Sequence, residues 1–173
     1  MACVFSKGLE YRYTLTRSVD LTGTGTLAFI MLNPSTADDE KDDATIRRCC
    51  GFARSLGYSE LQVVNLFAWR STDPYGLLRV ADPVGPSNDR WITHVCTGAQ
   101  RVICAWGSFA QAEERSRQVL GLLRQLGVTP HALRLTRSGQ PAHPLRLPGN
   151  LRPFPLSEGP SFRWESATHR DQR

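Results

Sequence analysis

Residues 26–48, TLAFIMLNPSTADDEKDDATIRR, decide the fold. They open on Leu27-Ala28-Phe29-Ile30-Met31-Leu32, an apolar run of strand length without the alternation of a half-exposed strand. Such a run predicts a strand buried on both faces. It stops at Asn33-Pro34-Ser35-Thr36, because Pro34 has no N–H for a sheet ladder and holds Asn33 extended. An acidic loop follows, then a helical period with Ile46, Cys49, Cys50 and Ala53 on one face. Buried strand, polar loop and helix form the unit that, in open α/β sheets, carries loop residues to a crevice at the strand's carboxyl end. Asn33 stands at that end.

Working outward, residues 11–17 alternate with period two and read as an edge strand or ribbon. Asp42 or Asp43 caps a helix that runs to about Leu56 and stops at Gly57. Residues 61–66 form a second buried strand, with Asn65 near its exit and a turn-rich loop, 70–74, after it. A long turn over 81–89 leads into a helix with Trp91, Ile92, Val95, Cys96 and Ala99 on one stripe. Residues 101–106 are the third strand, 108–126 the longest helix, and 131–135 a short fourth strand that runs into a loop containing His143-Pro144. Strands alternating with helices predict an α/β fold: three α/β/α layers around a central, mainly parallel four-stranded sheet. Residues 1–150 are expected to form the single domain, and 151–173, rich in Pro, Arg and Ser, an irregular tail.

A chain of 173 residues suits one domain with a three-layer core. No apolar run approaches 18 residues and the first residues lack the pattern of a signal peptide, so a cytoplasmic monomer with no membrane span is expected. Five cysteines without zinc or disulfide spacing read as reduced core thiols. The net charge of +5 is uneven: residues 1–100 hold 10 basic and 11 acidic groups, a balance of −1, while 101–173 hold 11 and 5, a balance of +6. The later part is therefore the better surface for a polyanion. Nineteen of the 21 basic residues are Arg, a bias that codon usage alone can produce.

Asn33, Asn65 and His143 leave strands in the same sense and can converge. A carboxamide presents a donor and an acceptor together, as the edge of a nucleobase requires. An imidazole can donate to an oxygen that gains negative charge. Asn33 is a poor base but can orient a water. Two amides and one imidazole suit a reaction with a good anionic leaving group. Ser35 and Ser108 lack a nucleophile elbow. The run Asp38-Asp39-Glu40, with Asp42 and Asp43, could hold a divalent metal, although Asp ahead of a helix more often caps it. Trp69, beside Arg70 in a loop, is the tryptophan best placed to meet a base; Trp91 and Trp106 are expected to pack between sheet and helix. Read singly, an Asn before Pro is an ordinary turn residue, and a His in a Pro-rich loop usually lies at the surface.

LNPSTAD followed by DDATIRR, then VVNLFAWRSTDP, DPVGPSND, CAWG and HPL, closely resembles a bacterial and phage family catalogued as a domain of unknown function, over roughly residues 11–148. A second resemblance is to the uracil-DNA glycosylase superfamily. It rests on Met31-Leu32-Asn33-Pro34-Ser35, Val64-Asn65, Ala105-Trp106-Gly107 and His143-Pro144-Leu145, four short matches in the superfamily's order. It implies a glycosylase-like fold and hydrolytic removal of uracil, or of a related modified pyrimidine, from DNA, with no metal or organic cofactor. Carried over residue by residue, Asn33 positions the water, Asn65 binds the uracil edge and His143 donates to its oxygen. Pro34 and Ser35 line the base site. Leu145 or Leu147 wedges the duplex after base flipping, and Thr36, Arg137, Pro144 and Arg146 meet the DNA.

The sequence departs from that superfamily in three places. Leu145 replaces a serine, Asn33 stands where the most active branch has Asp, and no aromatic follows Asn33 at the usual stacking distance. Phe52, Phe67 or Trp69 would then stack on the base. Two other classes compete: a non-catalytic nucleic-acid or nucleotide-binding module, and a metal-dependent phosphodiesterase built on Asp38, Asp39, Asp42 and Asp43.

Overall fold

Phe29 and Ile30, adjacent in sequence and fully buried, point into two different cores, and the layers of the molecule follow from that alternation. The computed structural model describes residues 2–35, 37–38 and 41–156. Its strands are β1 (Ala2–Phe5), β2 (Arg12–Ser18), β3 (Thr26–Met31), β4 (Glu60–Asn65), β5 (Arg101–Cys104), β6 (Pro130–Ala132) and β7 (Phe154–Pro155). Its α-helices are α1 (Ala44–Ser55), α2 (Asn88–Gly98) and α3 (Glu113–Gln125).

The strands make one sheet of seven, in the order β1-β2-β4-β3-β5-β6-β7. The protein is α/β as expected, but the sheet is neither four-stranded nor mainly parallel. β4, β3, β5 and β6 pair in parallel, while β1–β2, β2–β4 and β6–β7 are antiparallel. Two misreadings account for the difference. β2 is not an edge strand, because β1 covers its outer side. Part of the segment expected to form an irregular tail returns as β7 against β6 and buries Leu156 to 1% exposure. The remainder of that tail, 157–173, lies outside the described residues.

Leu27, Phe29 and Met31 pack with Ile46, Cys49, Phe52 and Ala53 of α1 on one face. Ala28 and Ile30 pack with Ile92 and Val95 of α2 and Val119 and Leu123 of α3 on the other. Asp43 starts α1 by accepting from the Ile46 N–H at 2.8 Å, and Gly57, at φ 82°, ends it in a conformation that costs a side chain energy. The third helix begins later than expected: Ala110–Ala112 form a 3-10 turn before α3. Cys49, Cys50, Cys96 and Cys104 are buried thiols, and burial raises their pKa.

The parallel strands all finish at the same end of the sheet, and buried polar contacts hold the exits there. Asn88 donates through Nδ2 to the carbonyls of Asn65 and Leu66, both at 3.0 Å, and Arg115 Nε donates to the Leu66 carbonyl at 2.9 Å. Arg115 is itself paired with Asp89. Arg17 holds the loop before α1 by an ion pair to Asp42 at 2.7 Å and a hydrogen bond to the Asp38 carbonyl. Among the described residues no helix is long and apolar enough to cross a membrane.

Candidate functional site

A cavity of about 500 Å3 opens where β4, β3 and β5 end. Asn33, Asn65 and His143 all line it, together with Ser35, Trp106 and Phe109. The structure thus brings together three residues that lie far apart in the sequence.

Each is held differently. Asn33 donates through Nδ2 to the carbonyl of Ser71 at 2.7 Å and to that of Pro34 at 3.1 Å. These bonds identify the nitrogen and leave Oδ1 as the acceptor of the carboxamide. The Ser71 N–H returns a bond to the Pro34 carbonyl at 2.9 Å, so the loops after β3 and β4 are tied at the mouth of the site. Pro34 is buried in that tie and does not line the cavity. Asn65 is 2% exposed, and its Nδ2 is buried with no hydrogen-bond partner among the described residues. Such orphans are uncommon in folded proteins, because a buried amide without a partner costs about 1–3 kcal/mol.

His143 arrives from the loop after β6. Gly107, just beyond β5, adopts φ 79°, and a Cβ placed there would lie 3.7 Å from the His143 Cβ. Glycine gives the turn its left-handed backbone, and the two loops pass in close contact. His143 Nδ1 accepts from the Leu145 N–H at 3.4 Å, a long bond that places the proton of the neutral ring on Nε2. Burial lowers the His143 pKa from its ordinary 6.5, and the nearby Asp43 carboxylate works in the opposite direction. The imidazole is therefore neutral above pH 6.5 and donates from Nε2. A proton NMR titration should place the His143 midpoint below 6.5, and Asp43→Asn should lower it further by removing the opposing charge. A midpoint at or above 6.5 would mean that the site stabilises the charged ring.

Other expected positions fall elsewhere. Phe52 and Phe67 are buried in opposite cores, and Trp69 packs edge-on against Tyr11 with ring centroids 5.4 Å apart. None of the three lines the cavity. The aromatics that do are Trp106, whose Nε1 donates to Gln140 Oε1 at 2.9 Å, and half-buried Phe109. Leu147 is 7% exposed in the α1-side core, so it is no wedge, whereas Leu145 is 42% exposed. Pro144 is buried, while Arg137 and Arg146 are exposed. Thr36 lies outside the described residues.

The described acids of the run, Asp38, Asp42 and Asp43, are built into the scaffold. Asp42 pairs with Arg17, Asp43 caps α1, and Asp38 accepts from the Lys41 N–H at 2.9 Å. Asp39 and Glu40 lie outside the described residues. Among the described residues no three His, Cys, Asp or Glu side chains cluster as a metal site. Ser108 also lines the cavity; its hydroxyl accepts from Ser138 at 3.2 Å.

The family model described as "Protein of unknown function (DUF1643)" matches residues 12–145. The chain belongs to that family. The matched segment holds all three polar residues at the strand exits and the whole parallel block of the sheet. No curated protein and no solved structure gives a significant match.

Sequence reasoning missed Arg12. Alternation along β2 assigns it to the face of Thr14 and Thr16, opposite Leu15. The register against β1 slips, however: Val4 faces Thr14 and Phe5 faces Arg12, so two residues of β2 oppose one of β1. A bulge of this kind re-aims a side chain. Arg12 is 3% exposed, lines the cavity and donates to the carbonyl of Ala37, on the α1 side with Leu15. No signal in one sequence announces such a slip. Phe109 could have been found, since it follows Trp106-Gly107 immediately beyond a buried strand.

Proposed function

We propose that this protein hydrolyses the N-glycosidic bond of uracil, or of a related modified pyrimidine, in DNA. The observation that carries the reading is the shared cavity of Asn33, Asn65 and His143, with a buried, unpartnered amide on Asn65. The similarity of the 31–35, 64–65, 105–107 and 143–145 segments to uracil-DNA glycosylases supports it.

The chemistry follows from the donors present. Asn65 offers an amide donor and acceptor to the pyrimidine edge, where an acceptor oxygen satisfies Nδ2. As the bond between C1′ and the base nitrogen breaks, its electron pair moves onto the base and its carbonyl oxygens. His143 Nε2–H donates to the oxygen beside that nitrogen, where the charge develops. Water held on Asn33 Oδ1 adds to C1′ and loses its proton to solvent. Asn33 aligns that water without removing its proton, so leaving-group stabilisation supplies most of the rate. Phe109 and Trp106 present aromatic walls to a flat ring. Exposed Arg137 and Arg146 flank the His143 loop and meet phosphates.

Incubation with a uracil-containing oligonucleotide in EDTA, followed by alkali, is expected to yield breaks at uracil. Cleavage abolished by EDTA would instead favour the phosphodiesterase. A retarded complex with every base retained would make the protein a binding module.

A further inference from the structure

Arg12 and Asn65 together point to a more particular substrate. Arg12 is one of three arginines buried among the described residues, with Arg17 and Arg115. The other two each hold a carboxylate, Asp42 and Asp89. Arg12 has no carboxylate within ion-pair distance among the described residues, and its Nε–H is buried without an acceptor. The fields of Cys3 and, after it, Asp43 reach Arg12; Asp43 lines the same cavity, but its carboxylate is engaged on the Ile46 N–H and lies beyond ion-pair distance. Burial lowers the Arg12 pKa to about 10, so the guanidinium still carries its charge at neutral pH. Its guanidinium also donates to the Ala37 carbonyl, which brings no opposite charge, and a buried cation without a paired anion is among the most expensive groups a fold can hold. Here it lines the same cavity as the orphaned amide of Asn65.

The order of the strands sets the direction. Across the sheet, Arg12 on β2 lies beside β4 and its Asn65, then comes β3 with Asn33, then β5, beyond which His143 sits against Gly107. Arg12 and His143 therefore lie at opposite sides of the two amides. If water and His143 act at the glycosidic nitrogen and Asn65 takes the C4 edge, Arg12 faces the part of the ring beyond that edge. The cavity, about 500 Å3, is of the size that accommodates drug-like ligands and leaves room beyond a bare pyrimidine.

The geometry points to a pyrimidine that carries an anionic substituent at C5, with Arg12 as the residue that selects it. The inference rests on the glycosylase reading for the orientation of the ring, and it names the substrate class within that reading. A C5 carboxylate supplies the acceptor and the opposite charge that no described residue gives the Arg12 Nε–H and guanidinium. The Asn65 amide binds the adjacent carbonyl. Guanidinium and carboxylate match in geometry as well as charge.

Calorimetry with three free bases tests it: uracil-5-carboxylate, thymine as a neutral base substituted at C5, and orotate with its carboxylate at C6. The 5-carboxylate should bind at least about tenfold more tightly than either of the others. Arg12→Gln should erase that preference, and Arg12→Lys, which keeps the charge but not the Nε–H, should retain part of it. Equal binding of the 5-carboxylate and thymine by the unaltered protein overturns the inference, with no need for either variant to fold. So does a folded Arg12→Gln protein with its preference intact. Excision from oligonucleotides separates the two readings. Release of plain uracil without any carboxylate preference removes this inference and leaves the glycosylase. Preferential binding of the 5-carboxylate without release of any base keeps the ligand class and removes the catalysis.

Discussion

Asn33→Ala and His143→Ala are each expected to lower the rate of base release by about 10²-fold or more while leaving affinity for substrate DNA nearly unchanged. The two act on different parts of one event. In the proposed reaction His143 donates to an oxygen that gains negative charge only as the bond breaks, so its contact is worth most in the transition state. Asn33, in the same proposal, fixes a water that the ground-state complex does not need. Single-turnover kinetics at saturating protein, with a separate binding isotherm, distinguish a loss of rate from a loss of affinity. Because Asn33 Nδ2 also binds the Pro34 and Ser71 carbonyls, Asn33→Ala loosens a loop that His143→Ala leaves alone. Asn33→Asp gives up the same two Nδ2 bonds, so it is the matched comparison for the alanine form, but it keeps an acceptor for the water and gains a base. It should release base faster than the alanine form. An alanine variant of either residue with unaltered kinetics would remove that residue from the chemistry.

Phe52→Ala should destabilise the fold by about 3–5 kcal/mol, a large part of the roughly 5–15 kcal/mol typical of a domain, without a specific effect on base binding. Phe52 is 1% exposed on α1, fills the core beneath β3 and β4, and carries the Arg48 guanidinium 5.1 Å above its ring. Its removal leaves a void in close-packed surroundings. Phe109→Ala should do the reverse. That ring is half-buried at the cavity wall beside Tyr75, so stability changes little, while a lost stacking face costs about 1–3 kcal/mol of base binding. Denaturant unfolding and base calorimetry on both variants form a crossed test. Weaker binding in folded Phe52→Ala with Phe109→Ala unaffected would return the stacking role to Phe52, one of the three aromatics that the sequence offered.

Phe52 and Phe109 also mark where sequence reasoning reaches its limit. Composition says that an aromatic is available, and strand exits say where a site opens. Which ring enters it depends on the rotation of a helix and the course of a loop. Phe52 falls on the apolar stripe of α1 with Ile46, Cys49 and Ala53, and that stripe faces the sheet. Phe109 lies in an irregular segment ahead of α3, where no periodicity assigns a face. Leu147 and Leu145 separate in the same way. The 3-10 turn Pro144–Arg146 turns Leu147 into the core and leaves Leu145 outside. The outer strands were the other loss. β1 is a short segment, and β7 is only two residues long within a Pro- and Arg-rich context, so neither shows a strand period of its own.

By itself the sequence determined the parallel heart of this protein and the three polar residues at its rim. Long apolar runs ended by Asn-Pro, Asn or Trp-Gly state locally that a strand is buried and where it stops, because burial and chain termination are properties of neighbouring residues. Only the tertiary structure decided that a buried guanidinium stands in the wall of the same hollow. Arg12 faces inward because β1 pairs with β2 out of step, and pairing between strands is written in no single segment. Nothing in the residues on either side of Arg12 distinguishes a solvated arginine from one held in a cavity wall, and that difference decides what the cavity can bind.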